Sequence, residues 1–390
     1  MSAPGEPSLF EFGPPRRLER RLKLIKLGER HILRRAGLVV LAGWAPLAIF
    51  AALQDGSLQG ERLSSFLSDF TVQARSLIAA PLLILADVVS ANQLGAIALH
   101  FGDSQLLPEH ERPRFEAALA STRNLLDLRK AEIGALLLAY GLAAVLVTSI
   151  RPDQLPFWQR AVGNGAIPLS LAGWWHALVS APILLLLLFG WLWKLCLWTR
   201  FLRLMSRLDL CLVPAHPDRM AGLKFVGYSV YGFLHVALAL ATIVAGRAAD
   251  GVARRGALTT VEMLELGAIL CVIAALFAAP PFVFVGVLLR EWRRGVFEYG
   301  AWASKFGKQF ERKWFSSTRL QSEDALKAPD FSSGADLYQI VSNVYAMKII
   351  PIDMTGIAAL VATVLLPFLP VVLMTVPIEH ILARLKSLLL

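Results

Sequence analysis

Seven long apolar blocks, nearly free of charge, alternate along the chain with polar segments: Gly37 to Leu53, Ser76 to Phe101, Ala131 to Ile150, Pro168 to Trp193, Phe225 to Gly246, Leu264 to Leu289, and Ile349 to Val376. Each has about the length an α-helix needs to cross roughly 30 Å of hydrocarbon. The pattern predicts an all-α fold, a polytopic transmembrane helix bundle of about seven spans. In the fourth block Trp174 and Trp175 stand near one end and Trp191 and Trp193 at the other, as interfacial aromatic belts do. The run Leu184 to Leu188 within it reads as a lipid-facing surface.

The segments between blocks carry their own periodicity. Residues 1–36 place Leu18, Leu22, Ile25, Ile32 and Leu33 at helical spacing among nine Lys or Arg, the pattern of an amphipathic helix on a membrane surface. Glu109 to Lys130 mixes charges of both signs with Phe115, Leu119, Leu125 and Leu126, which predicts a second surface helix. After the sixth block Trp292, Val296, Tyr299, Ala303, Phe306 and Phe310 recur at spacings of 4, 3, 4, 3 and 4. This short heptad stripe predicts that the sixth helix runs on into the cytoplasm and packs against the protein's own cytoplasmic segments. Thr318 to Asp336 reads as a polar loop. The organisation is then a basic segment (1–36), six membrane helices with short loops (37–289), a cytoplasmic helical segment (290–348), and a last membrane helix with an amphipathic tail (349–390).

Composition removes the soluble alternatives. Apolar residues make up 56% of the chain and charged residues 17%, against roughly 25% charged in soluble domains. The net charge of +10 could suggest nucleic acid, but the basic residues cluster beside the apolar blocks. Segments taken as one side of the membrane hold 30 Lys and Arg, and those on the other hold 9. The positive-inside rule then places the amino terminus in the cytoplasm and the carboxyl terminus outside. Cys196, Cys211 and Cys271 fit no zinc or redox spacing. The seven histidines form no HExxH pair, so any metal ligands would have to converge across helices, and no cofactor is expected.

The candidate chemistry lies where water is scarce. Asp87 falls midway along the second block, followed by Ser90, Asn92 and Gln93. An ionised group near the bilayer centre costs roughly 2.5–3.5 kcal/mol, which makes it a functional candidate. Tyr228, Tyr231 and His235 fall on one face of a helix at similar depth, and an acid and a base so placed can relay a proton or bind a cation. The plainer alternative is that Asp87 and His235 each hydrogen-bond a neighbouring helix. Pro280 and Pro281 in the sixth block, and Pro367 and Pro370 in the seventh, free backbone carbonyls and are read as gating kinks. On the inner side, His216, Asp218 and Arg219 fall in one Pro-bracketed turn. They form either an acid–base cluster or, the favoured reading, a helix cap by Asp218. His176 reads as interfacial, and Glu132, Glu265 and Asp353 as helix-end carboxylates.

The HPDR turn (His216 to Arg219) with Gly222 and Leu223, the stretch Asp336 to Asp353, and the proline-rich last helix resemble a family of uncharacterised bacterial inner-membrane proteins. The resemblance covers roughly the last half of the chain and implies a bacterial inner membrane, with no activity carried over. The expected function is membrane transport, as an ion channel or proton-coupled carrier with a polar site near the bilayer midplane. A membrane enzyme acting on a lipid-like substrate through His216, Asp218 and Arg219 is the alternative, as is a scaffold or sensor working through residues 290–348. Expected partners are membrane lipids, an ion or small solute and further copies of the chain, with no nucleic acid.

Overall fold

The computed structural model describes residues 32–54, 60–149, 155–161, 169–315 and 329–375. The expected amphipathic amino-terminal helix, most of the polar loop Thr318 to Asp336 and the amphipathic tail lie outside the described residues. Among those described, the only β pairing is an isolated bridge between Arg160 and Leu169. Seven helices are long and apolar enough to cross a membrane, and the protein is a multi-pass helical membrane protein. These spans are Ile32–Leu53, Phe70–Asp103, Arg129–Ser149, Leu171–Met205, Leu234–Arg255, Thr260–Ala278 and Met354–Thr375, numbered 1 to 7 below.

Spans 2 and 4, of 34 and 35 residues, outrun the apolar blocks that marked them and, at about 1.5 Å per residue, exceed the hydrocarbon thickness. Arg75 and Lys194, which the sequence places beside the blocks, therefore sit inside spans 2 and 4, and Arg35 sits in the first turn of span 1. Block two is one continuous rod that does not bend back. Block five is displaced: Phe225 to Phe233 winds as short turns closed by i to i+3 bonds at Tyr228, Tyr231 and Phe233, and span 5 starts only at Leu234. Block six is divided, because Pro280 and Pro281 open a 3₁₀ turn, Pro280–Phe284, that ends span 6 and packs on span 4. The sixth helix does not run on, and a new helix, Val285–Trp314, starts after the turn.

Spans 2, 4 and 5 form the centre, with 56%, 44% and 61% of their most apolar stretches buried, against 17–22% for the other four. Span 7, the most apolar, is among the least buried, as expected when oil rather than protein surrounds a helix. The lipid-facing reading of Leu184 to Leu188 is corrected: Leu186 and Leu187 are buried and the other three half-buried. Span 4 meets spans 2 and 3, the 3₁₀ turn and the cytoplasmic helix Arg112–Leu126, so its leucines pack against protein.

The heptad stripe finds the partner expected of it. Helix Val285–Trp314 pairs antiparallel with helix Pro329–Tyr345: Phe310 stacks edge-on with Phe331 at 4.9 Å, Phe306 closes on Gly334, and Gly300 lies beside the Tyr345 hydroxyl. Gly295 fits against Pro214 and Val344, docking the hairpin on the inner face of the bundle.

Gly246 joins the outer ends of spans 5 and 2, since a Cβ there would lie 2.7 Å from Ala74 Cβ and 3.0 Å from the Phe70 carbonyl. Overpacking of this kind costs about 1–3 kcal/mol. Gly246→Val is expected to lower the unfolding temperature of the detergent-solubilised protein by several degrees, whereas Gly267→Val, at a position with open space around it, is expected to leave it near wild type.

Candidate functional site

Spans 2 and 4 run parallel and carry the same local device. Pro81 and Pro182 each lack an amide and crowd the carbonyl four residues earlier, and the turn before each is wound as a π-helix, Ala74–Ala79 and His176–Ser180. The carbonyl of Leu178, four residues before Pro182, accepts a hydrogen bond from the Tyr140 hydroxyl at 3.2 Å, the compensation a freed carbonyl needs in oil. In both helices a basic side chain stands six residues before the proline, Arg75 in one and His176 in the other. The two widened turns line one cavity of about 100 Å³ together with Val39 and Gly43 of span 1, Ser180 and Leu184. That is well above the roughly 10–15 Å³ one ordered water needs. His176 Nδ1 is buried there without a hydrogen-bond partner, and the Ser180 hydroxyl donates to the Gly43 carbonyl at 2.7 Å. π-turns of this kind recur at functional sites.

One helical turn from Val39, toward the start of span 1, the same three spans meet at a buried ion triad. Asp87 Oδ1 accepts from the Lys194 ammonium in direct contact, and Asp87 Oδ2 lies 3.5 Å from Arg35 Nη2. Relative exposures of 8% for Asp87, 4% for Lys194 and 6% for Arg35 leave the charges little solvent. The Lys194 ammonium also lies 4.6 Å from the centroid of the Trp191 ring, a cation–π contact, and the Trp191 indole donates to the Leu83 carbonyl at 2.9 Å. In a low-dielectric interior such charges persist only when paired and hydrogen-bonded.

The sequence marks Asp87 but not the two cations that meet it. Whether His235 meets Asp87, a question the sequence leaves open, has a negative answer: His235 stands in the first turn of span 5 and is not among the contacts of Asp87. Its Nδ1 is buried without a hydrogen-bond partner. Tyr228 and Tyr231 lie together across an i+3 turn, their ring centroids 6.2 Å apart, with Tyr228 exposed. Asn92 is exposed, while Ser90 and Gln93 hydrogen-bond the carbonyls of Gly232 and Tyr228. Pro280 and Pro281 end span 6 rather than kink it, and Pro367 lies in a 3₁₀ turn, Leu366–Phe368, that interrupts span 7 just before Pro370. His176 is placed in the cavity, 5.9 Å from the ring of Trp158. Arg35, Arg75 and Lys194 were missed because each stands at the edge of an apolar block; the signal that could have found the cavity is the shared spacing from Arg75 to Pro81 and from His176 to Pro182.

The HPDR turn forms the cap. Asp218 accepts from the amides of Met220 at 2.8 Å, Gly222 at 3.1 Å and Lys224 at 3.1 Å, and lies 2.8 Å from His216 Nδ1. Arg219, Ala221 and Gly222 adopt positive φ to aim these amides inward, a backbone nest around an anion. The turn is also a junction: the Arg219 carbonyl accepts from Lys348 N at 2.7 Å, and Pro214 meets Gly295. Asp353 caps span 7 through Met354 N and lies 3.5 Å from Lys224, which the helix-end reading anticipates. No protein-family model, curated protein or solved structure matches the chain.

Burial alone would raise the Asp218 carboxyl, but the three amides and His216 outweigh it and hold it below the usual carboxylate range. A depressed folded-state pKa stabilises the fold above the unfolded value of about 3.9 and loses that effect as pH falls through the folded value. Asp218→Ala is expected to cost about 1–3 kcal/mol at pH 7, read by thermal unfolding in detergent, and the gap to wild type is expected to narrow below about pH 4.

Proposed function

We propose that this protein is a proton-coupled carrier of a small anion, with the Arg35, Asp87 and Lys194 triad as its switch. The observation that carries the reading is the triad itself: one carboxylate holds two cationic groups from two other helices in a nearly solvent-free interface. A proton on Asp87 would remove the negative charge in contact with Lys194 and beside Arg35. A buried ammonium that loses its counter-charge is costly, so the protonated state gains most from an anion entering in the carboxylate's place. Proton and anion are thereby taken up together, and release of the proton restores the pair and expels the anion. The cavity at the π-turns, one turn along span 1 from Arg35, supports an approach from the opposite side, with Arg75 lining its wall.

The membrane is that of a bacterium, on the strength of the inside-positive bias and of the resemblance of the HPDR turn and last helix to inner-membrane proteins. Anionic head groups beside the basic inner segments, and further copies of the chain, complete the proposed surroundings. The enzyme alternative has less support, because Asp218 is committed to three backbone amides and is poorly placed to act on a substrate.

Purified protein in liposomes is to be tested for proton-driven uptake of chloride, nitrate and inorganic phosphate. Uptake of at least one anion is expected to rise with an inward proton gradient in wild type. Asp87→Asn is expected to abolish the proton dependence, and Lys194→Met to reduce anion uptake about tenfold or more, equivalent to roughly 1.4 kcal/mol. Flux of these anions that is measurable yet indifferent to both substitutions would remove the triad from the transport path.

A further inference from the structure

A second cluster of ionisable groups lies outside the membrane spans, on the inner face. The short 3₁₀ turn Glu109–Glu111 precedes helix Arg112–Leu126, and the loop leaving span 4 is tied to it by a backbone hydrogen bond from Cys211 N to the Leu106 carbonyl at 2.8 Å. This tie brings three side chains together: one ligand atom each from His110, Glu111 and Asp209 lies within 4.8 Å of the other two. Glu111 is 3% exposed, and although its Oε1 meets Arg114 Nη1 at 3.0 Å, its Oε2 is shut from solvent with no hydrogen-bond partner. A buried carboxylate oxygen without a donor is a costly arrangement, and Arg114 itself is largely exposed. A cation between the three groups would satisfy it.

We infer that His110, Glu111 and Asp209 form a binding site for a divalent transition-metal ion of the zinc class. One imidazole nitrogen with two carboxylate oxygens is a donor set that zinc accepts, at about 2.0–2.2 Å from each. Ligand atoms around such an ion stand about 3.4 Å apart, so separations of up to 4.8 Å must close by up to about 1.4 Å. His110 and Asp209 are exposed and free to do so. Three protein ligands leave a fourth position for water. The ion would fasten the loop after span 4 to the cytoplasmic helix that follows span 2, joining the inner ends of the two helices that carry Asp87 and Lys194. The site is independent of the transport reading.

The full chain, stripped of metal by chelation and held in detergent, is to be titrated with zinc chloride by calorimetry, with thermal unfolding followed in parallel. One zinc-binding event per chain that raises the unfolding temperature is expected, weakened about tenfold or more by Glu111→Gln, Asp209→Asn and His110→Ala. Because Asp209 and His110 are exposed, their variants decide the matter even if Glu111→Gln fails to fold. Cys211→Ser is expected to bind zinc like wild type. Absence of zinc binding, binding unchanged in the Asp209 and His110 variants, or binding lost on Cys211→Ser would each overturn the assignment.

Discussion

The structure depends on what one carboxylate requires in a place without water. Asp87 cannot remain ionised among apolar side chains unless opposite charge is brought to it. The bundle brings it twice, from the start of span 1 and from deep within span 4. Three helices are thereby fixed in rotation and in height against one another, since a shift of either cationic helix by one turn, about 5.4 Å, would break the contact. Trp191 adds to the same constraint by offering its ring face to Lys194 and its indole N–H to the backbone of span 2. Spans 3, 6 and 7, which face oil, need no such device, and apolar packing on the central helices suffices for them.

The other polar features follow the same logic at the ends of the helices. At the outer end Asp250 accepts from the amides of Phe70 and Thr71, capping span 2 from a different helix, while Asp69 accepts from Val72 N and the Trp158 indole. At the inner end Asp218 and Asp353 take the same part for the HPDR turn and span 7. The carbonyl of Leu178, freed by Pro182, is treated alike by the Tyr140 hydroxyl. Among the buried polar atoms left without a hydrogen-bond partner are His176 Nδ1, His235 Nδ1 and Glu111 Oε2.

Much of this was legible in the sequence, for reasons that are physical. Oil imposes a long uncharged run on every crossing, so the seven blocks and their number could be read directly. The heptad from Trp292 to Phe310 could be read because a helix pair outside the membrane needs an apolar stripe. Asp87 was legible as an anomaly, since nothing apolar explains a carboxylate in mid-helix. Its partners were not. Lys194 stands one residue beyond the fourth block and Arg35 within the basic segment before the first, where both look like ordinary flanking charges. A helix of 35 residues, longer than oil alone requires, carries Lys194 inside, and span 1 starts at Ile32, early enough to include Arg35. The start of span 5 was misplaced because Phe225 to Phe233 is apolar enough to cross yet winds in i+3 turns at Tyr228, Tyr231 and Phe233. Hydropathy reports burial from water and does not distinguish those turns from a regular helix.

The central claim, that Asp87 and Lys194 hold spans 2 and 4 together through their charges, is tested most directly by a double-mutant cycle. Asp87→Asn, Lys194→Met and the double variant are unfolded thermally in detergent alongside wild type, and the interaction free energy is taken from the four stabilities. Direct contact of two buried charges predicts a coupling of about 2 kcal/mol or more, with the double variant less impaired than the single effects combined. Single effects that simply add, giving a coupling below about 0.5 kcal/mol, would contradict the account.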